Sequence, residues 1–199
     1  MKKKMMTGFF VFGMAMAMLG SSVMAEPVTE SSNAVFELKP GGNVAIESVP
    51  SFNFGEQMIS ATTETYLDES TNPSVRISDL RGTEEGWSLS LGATAFKTAE
   101  EKQLMGAIMY INGIEIGNPN ENISPAPTAT LGSIEFGEGE DGAGVENMIL
   151  NAEEGAGSGE WLGNFYDDSE NLVELEVPAG NKVGEYTSTL TWTLSDAPQ

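Results

Sequence analysis

Residues 186–194 read Tyr-Thr-Ser-Thr-Leu-Thr-Trp-Thr-Leu, which puts Tyr186, Leu190, Trp192 and Leu194 on one side of an extended chain and Thr187, Thr189, Thr191 and Thr193 on the other. Side chains alternate across a strand with a period of two, whereas a helix would scatter this set around its circumference. The segment therefore reads as a strand with one buried and one solvated face. Trp87-Ser88-Leu89-Ser90-Leu91 repeats the pattern, with Ser88 and Ser90 expected outward.

Between these two segments Gly, Pro and Asn punctuate the chain at short intervals, and the runs they separate favour Val, Ile, Leu, Thr, Phe and Trp. Further strand candidates are 35–38, 44–49, 74–78, 108–116, 131–136, 145–150 and 172–177. The nearest approach to a helix, Thr98 to Ala107, spans about two turns and has no capped apolar face. Many short strands with this turn spacing predict an all-β fold, an antiparallel β-sandwich or barrel-like single domain. The proline-containing stretch 119–127 and the run Gly-Glu-Gly-Glu-Asp-Gly-Ala-Gly at 137–144 read as exposed loops within that domain.

The chain has 199 residues, and its 30 acids against 9 cations give a formal charge of -21 with no His and no Cys. Without imidazole or thiol there is no Ser-His-Asp triad, no Cys nucleophile, no thiolate or imidazole zinc site and no disulfide. Lys2, Lys3 and Lys4 precede an uncharged run that ends Val23-Met24-Ala25. A basic start, an apolar centre and small residues before the cut are the marks of a signal peptide over 1–25, a reading that competes with a transmembrane anchor and is favoured because the strongly apolar part is short for a span. Residues 26–34 then read as a flexible leader and 35–199 as the folded domain of a secreted protein, with no direct membrane insertion after cleavage. All the acids and six of the cations fall after residue 25, so the exported chain carries -24. That charge argues against nucleic acid or anionic lipid as a partner, because both require a basic footprint.

Adjacent carboxylates recur at Glu84-Glu85, Glu100-Glu101, Glu153-Glu154 and Asp167-Asp168. Composition alone explains such pairs, and no enzymatic activity is expected; a carboxylate-based wall hydrolase is the rival reading. No cofactor is implied, although weak calcium binding by the acidic 137–144 loop is consistent with its hard oxygen donors and the metal question stays open. A calcium-loop template started at Asp167 fails, since Leu172 stands where Gly is required and Pro178 where the bidentate Glu belongs. Arg76, Arg81, Lys97 and Lys102 cluster around Trp87, and no basic residue occurs from Gln103 to Asn181. The Trp87 region is thus the surface least repelled by an anionic polymer; the competing reading is that one or two of these Arg residues merely pair with Asp79, Glu84 or Glu85. Trp87 and Trp192 read as core residues, with sugar-stacking platforms as the competing reading. Trp161 follows a Gly-rich loop and is expected to be exposed.

Two tripeptides, Trp87-Ser88-Leu89 and Trp192-Thr193-Leu194, stand about a hundred residues apart. Val75-Arg76-Ile77-Ser78-Asp79-Leu80-Arg81-Gly82 leads into the first, the second ends the chain, and Phe52-Asn53-Phe54-Gly55 lies upstream. In these settings the chain resembles the WxL domain family of Gram-positive cell-surface proteins. The resemblance implies non-covalent binding to the cell wall through peptidoglycan, a cell-surface location, and cooperation with a membrane-anchored surface protein; some relatives are linked to host matrix proteins. It makes Trp87, Leu89, Trp192 and Leu194 the motif residues; Asp79, Arg81 and Trp161 are candidate supporting residues beside them. Whether the tryptophans touch glycan or hold the fold that does is left open by the family pattern, and the alternation favours the fold. The alternative function is a protein–protein assembly or adhesion module.

Overall fold

The computed structural model describes residues 30–135 and 146–197. The segment expected as a signal peptide, 1–25, and the expected loop at 137–144 therefore lie outside the described residues. The chain divides into two units, 1–37 and 38–199. In the first, residues 30–37 are exposed and carry no strand. The strand expected at 35–38 does not form: Val35 and Phe36 are 94% and 84% exposed. An apolar run becomes a strand only when a neighbour completes its hydrogen-bond ladder, and no ladder pairs these residues.

Among the described residues, regular structure in the second unit is all β. Twelve strands form three antiparallel, unclosed sheets among the described residues, so of the two expected architectures the sandwich-like one is realised. The first sheet orders β1 (Val44–Ser48), β3 (Ser74–Asp79), β10 (Gly159–Asn164) and β6 (Glu115–Gly117). The second orders β2 (Glu64–Leu67), β11 (Val173–Val177), β5 (Ile108–Ile111) and β8 (Gly132–Glu135). The third orders β12 (Leu190–Ser195), β4 (Trp87–Ala93), β9 (Asn147–Ala152) and β7 (Thr128–Ala129). No helix forms at 98–107, where turns and an isolated bridge from Lys97 to Gln103 take its place.

One apolar cluster draws on all three sheets, with Val75, Ile77 and Trp161 from the first, Met109, Ile111, Ile134, Val173 and Leu175 from the second, and Trp87, Leu89, Leu91 and Leu150 from the third. The run expected as one strand over 108–116 is two, β5 and β6, in different sheets. The chain turns at Asn112-Gly113, where a Cβ on Gly113 would stand 2.7 Å from the Leu172 side chain. In β9 a register shift opposite Leu89 and Ser90 inserts an extra residue, so the consecutive Ile149 and Leu150 are both buried.

Candidate functional site

The two motif strands are neighbours. β12 pairs with β4 so that Leu194 faces Leu89 and Trp192 faces Leu91, and Trp87 lies two residues before Leu89. Period-two alternation then sends all four motif side chains to the same face of the third sheet, toward the apolar cluster.

Trp87 is fully buried, and Leu89 beside it as well. Its indole Nε1 donates to the Gly157 carbonyl at 3.0 Å, which satisfies the one polar atom such a burial would otherwise strand. Two glycines make room. Gly157 has φ +74°, and a Cβ there would stand 2.6 Å from the indole nitrogen; Gly86, also at φ +74°, would press a Cβ to 2.8 Å from the Glu153 carbonyl. Burying an indole of ~200 Å² contributes about 5 kcal/mol of transfer free energy as an upper figure.

Trp192 and Leu194 are half-buried, and Thr191 and Thr193 between and beside them are exposed, as the alternation requires. β12 is an edge strand, so its inward side chains are covered from one flank only. Trp192 meets Phe165 edge-to-face at 5.9 Å, and Phe165 in turn meets Phe52 at 5.4 Å. Phe52 begins the upstream segment that carries part of the family resemblance. That segment is anchored at Asn53, whose backbone N–H donates to the buried Asp68 carboxylate at 2.7 Å.

The serines of the first motif strand do not both face solvent. Ser88 is only 2% exposed, and its hydroxyl donates to the Ala197 carbonyl at 3.3 Å. β4 lies inside its sheet, and the chain end that follows β12 reaches the face that alternation leaves polar. The same chain end meets Arg81. Its guanidinium donates to Asp79 (Nε to Oδ1 at 3.0 Å, Nη2 to Oδ2 at 2.8 Å), to the Gly86 carbonyl at 2.6 Å and to the Asp196 carbonyl at 3.0 Å. Arg81 thus joins the end of β3, the residue before Trp87 and the residue after Ser195. Only a planar five-donor fork can serve three such sites at once.

Burial alone would push the Asp79 carboxyl up, but the hydrogen bonds from the Arg81 side chain and backbone and the guanidinium charge outweigh it and hold the group below its ordinary value. Arg81 is raised by its hydrogen bond to Asp79, against a desolvation cost, with further support from the charges of Asp79, Glu85 and Asp196. Asp79 and Arg81 therefore brace the two motif strands.

Trp161 is 3% exposed rather than exposed as expected. Strand β10 starts directly at Gly159 and lies between β3 and β6, so its inward residue opposite Ile77 belongs to the core. Its Nε1 donates to the Ser158 carbonyl at 3.1 Å. The cations around Trp87 are all paired: Arg76 with Glu160, Arg81 with Asp79, Lys97 with Glu101 at 3.2 Å and Lys102 with Glu100 at 3.8 Å. Of these, only Arg81 pairs with the expected acids, Asp79 and Glu85; the other three have different partners. Among the described residues no group of three acids is arranged to hold a metal, and Asp167 instead closes a local turn by accepting from Ser169 and Glu170.

Gly157 and Phe165 are the site residues that sequence reasoning missed. Gly157 reads only as part of a Gly-rich loop, and Phe165 falls outside every strand candidate, so neither shows its tryptophan neighbour in the order of residues. No curated protein and no solved structure matches the chain. A family model described as "WxL domain surface cell wall-binding" matches residues 25–198. Both motifs stand in one wall of the core within that span, and the chain belongs to the WxL domain family.

Proposed function

We propose that this is a secreted surface protein that binds peptidoglycan non-covalently, as a binding module without enzymatic activity or cofactor. The observation that carries the reading is the match of residues 25–198 to a surface cell-wall-binding family. The geometry supports a scaffolding role for the motifs: Trp87 and Leu89 lie in the apolar cluster, Trp192 and Leu194 pack against it, and Trp192 also meets Phe165. Several of the paired carboxylates have local structural tasks. Glu85 accepts from Thr83, Glu101 pairs with Lys97, and Asp167 caps its own turn.

Co-sedimentation of residues 26–199 with purified peptidoglycan tests the reading. Retention in the pellet is expected, and a protein that stays in the supernatant would overturn it. Wall clearing on a zymogram would overturn the non-enzymatic part.

A second reading, docking to a membrane-anchored surface partner, draws on the sheet edges. β12 pairs only with β4 and β2 only with β11 among the described residues, which leaves ladder groups on the outer side of each. Binding of the purified chain to such a partner, without binding to peptidoglycan, is the result that would favour it.

A further inference from the structure

Asn112-Gly113 is the chain's single Asn-Gly dipeptide, and it stands where the chain changes sheets. β5 ends at Ile111 in the second sheet, and β6 begins at Glu115 in the first. The Asn112 backbone N–H donates to the Leu172 carbonyl at 2.8 Å, one step beyond the β5–β11 ladder. Its side-chain Nδ2 donates to the Glu174 carboxylate at 2.8 Å. Asn112 is exposed and Gly113 half-buried, and the Gly113 N–H meets no acceptor among the described residues. Leu172 packs over the glycine, so that a Cβ there would stand 2.7 Å from its Cδ1. That leucine is itself held, donating to the Phe165 carbonyl and accepting from Asn112. Packing therefore favours glycine as the residue after this asparagine.

This arrangement has a chemical consequence, because asparagine is a thermolabile residue and its reactivity is set by the residue that follows it. Covalent connectivity alone keeps the Gly113 nitrogen within reach of Asn112 Cγ, through a five-membered ring. Glycine has no Cβ to shield that nitrogen, and its proton is open to hydroxide. Once deprotonated, the nitrogen attacks Cγ. The N–Cγ bond forms, the Cγ–Nδ2 bond breaks, and Nδ2 leaves as ammonia with a proton taken from water. Water then opens the succinimide. Cleavage at Cγ gives aspartate, whereas cleavage at the Asn112 backbone carbonyl gives isoaspartate, with the chain running through Cγ. The sum is amide plus water to carboxylic acid plus ammonia, without oxidation or reduction.

We propose that Asn112 is a self-modification site of the folded protein, and that its conversion loosens the crossover from β5 to β6. The amide now donates to Glu174, and a carboxylate in its place exchanges that hydrogen bond for repulsion between like charges. Isoaspartate also adds one backbone atom just ahead of β6. That strand has three residues and pairs only with β10 among the described residues, so little holds it against the change. The reaction takes only water as co-reactant and is independent of wall binding.

The test incubates folded residues 26–199 at mildly alkaline pH and follows each asparagine by peptide mapping with mass spectrometry, beside a synthetic peptide of residues 108–117. Asn112 is expected to convert faster than any other asparagine of the protein, to isoaspartate in excess over aspartate, with release of ammonia. Asn112→Gln, whose amide could cyclise only through a six-membered ring, should stay unconverted. An Asn112 that stays intact in the protein over a time that converts the peptide would overturn the site, because the fold would then protect it. Asn112→Asp supplies the α-linked product for the second half of the proposal. Its melting temperature should lie below that of wild type, its amide exchange should be faster in β6, and Glu174→Gln should remove most of the difference in melting temperature. An unchanged melt, or a deficit that Glu174→Gln leaves as large, would overturn the loosening by charge.

Discussion

The two WxL motifs have the same three-letter form and different surroundings. The first lies on β4, inside its sheet, with its tryptophan completely enclosed and hydrogen-bonded to Gly157. The second lies on β12, an edge strand near the chain end, with its tryptophan half covered and in contact with Phe165. The middle residues differ in the same sense, since Ser88 is buried under the chain end and Thr193 reaches outward to Glu146. The motif is thus a strand rule, apolar–polar–apolar, whose energetic weight is set by whether a neighbour strand lies on one side or on two.

Trp87→Ala should show the largest effect. It empties a fully enclosed site, leaves the Gly157 carbonyl without its donor, and should cost about 3–5 kcal/mol in a denaturant melt. A loss under about 1 kcal/mol would mean that the first motif is no more structural than the second.

Arg81→Ala comes next. Asp79 is only 3% exposed, and removing its partner leaves a buried carboxylate uncompensated, at about 3 kcal/mol. The comparison predicts where the damage appears. Arg81 holds the Asp196 carbonyl after β12 and the Gly86 carbonyl before β4, but β4 has a second neighbour in β9 and β12 does not. Amide exchange should therefore accelerate more in β12 than in β4; equal acceleration would break the contrast between the strands. Arg81→Lys should recover little, because an ammonium cannot span three acceptors.

Trp192→Ala follows at about 1.5–3 kcal/mol, from partial burial and one edge-to-face pair. Trp192→Phe should restore most of that. If Trp192→Ala abolishes sedimentation with peptidoglycan while its melt is unchanged, the second tryptophan is a wall contact and the two motifs differ in function as well as in weight.

The alternation at 87–91 and 190–194 was enough to place both motif strands and the inward face of each, because the pleat translates directly into residue order. Coverage was harder to read. Ser88 looks solvent-facing until the chain end is known to reach it, and Trp161 looks exposed until β10 is found between two strands. Both depend on partners far away in sequence, Ala197 for the serine and Ile77 for the tryptophan. Val35 and Phe36 show the reverse case, a strand-like composition without a ladder to join. Asp79 was legible only as one of three acids offered as partners to the Arg residues of this segment, and the reach of Arg81 to Gly86 and Asp196 was not legible at all.

Acid should weaken the brace shared by the motifs by a smaller amount. The folded state holds Asp79 ionised more firmly than the unfolded chain does, where an aspartate titrates near pH ~3.9. The stabilisation is therefore fully present above that pH and is lost as pH falls through the lower folded value. Compared between pH 7 and pH 3, the melting temperature of Asp79→Asn should fall less than that of wild type. Equal falls would show that other carboxylates carry the acid response and that the brace contributes nothing to it.

The smallest effect expected is that of salt on wall retention. Long-range attraction cannot hold a chain of charge -21 to an anionic wall, and any net field between them is repulsive. Raising NaCl from about 0.1 to about 1 M shortens the screening length from ~10 to ~3 Å and removes most of that repulsion, while short-range buried contacts are screened far less. Retention on peptidoglycan should hold or rise across this range, for wild type and for Trp192→Phe alike. A steep loss with salt would mean that exposed ion pairs carry the adhesion. The paired cations around the first motif, with Lys102 and Arg76 the most solvent-accessible, would then be the place to look.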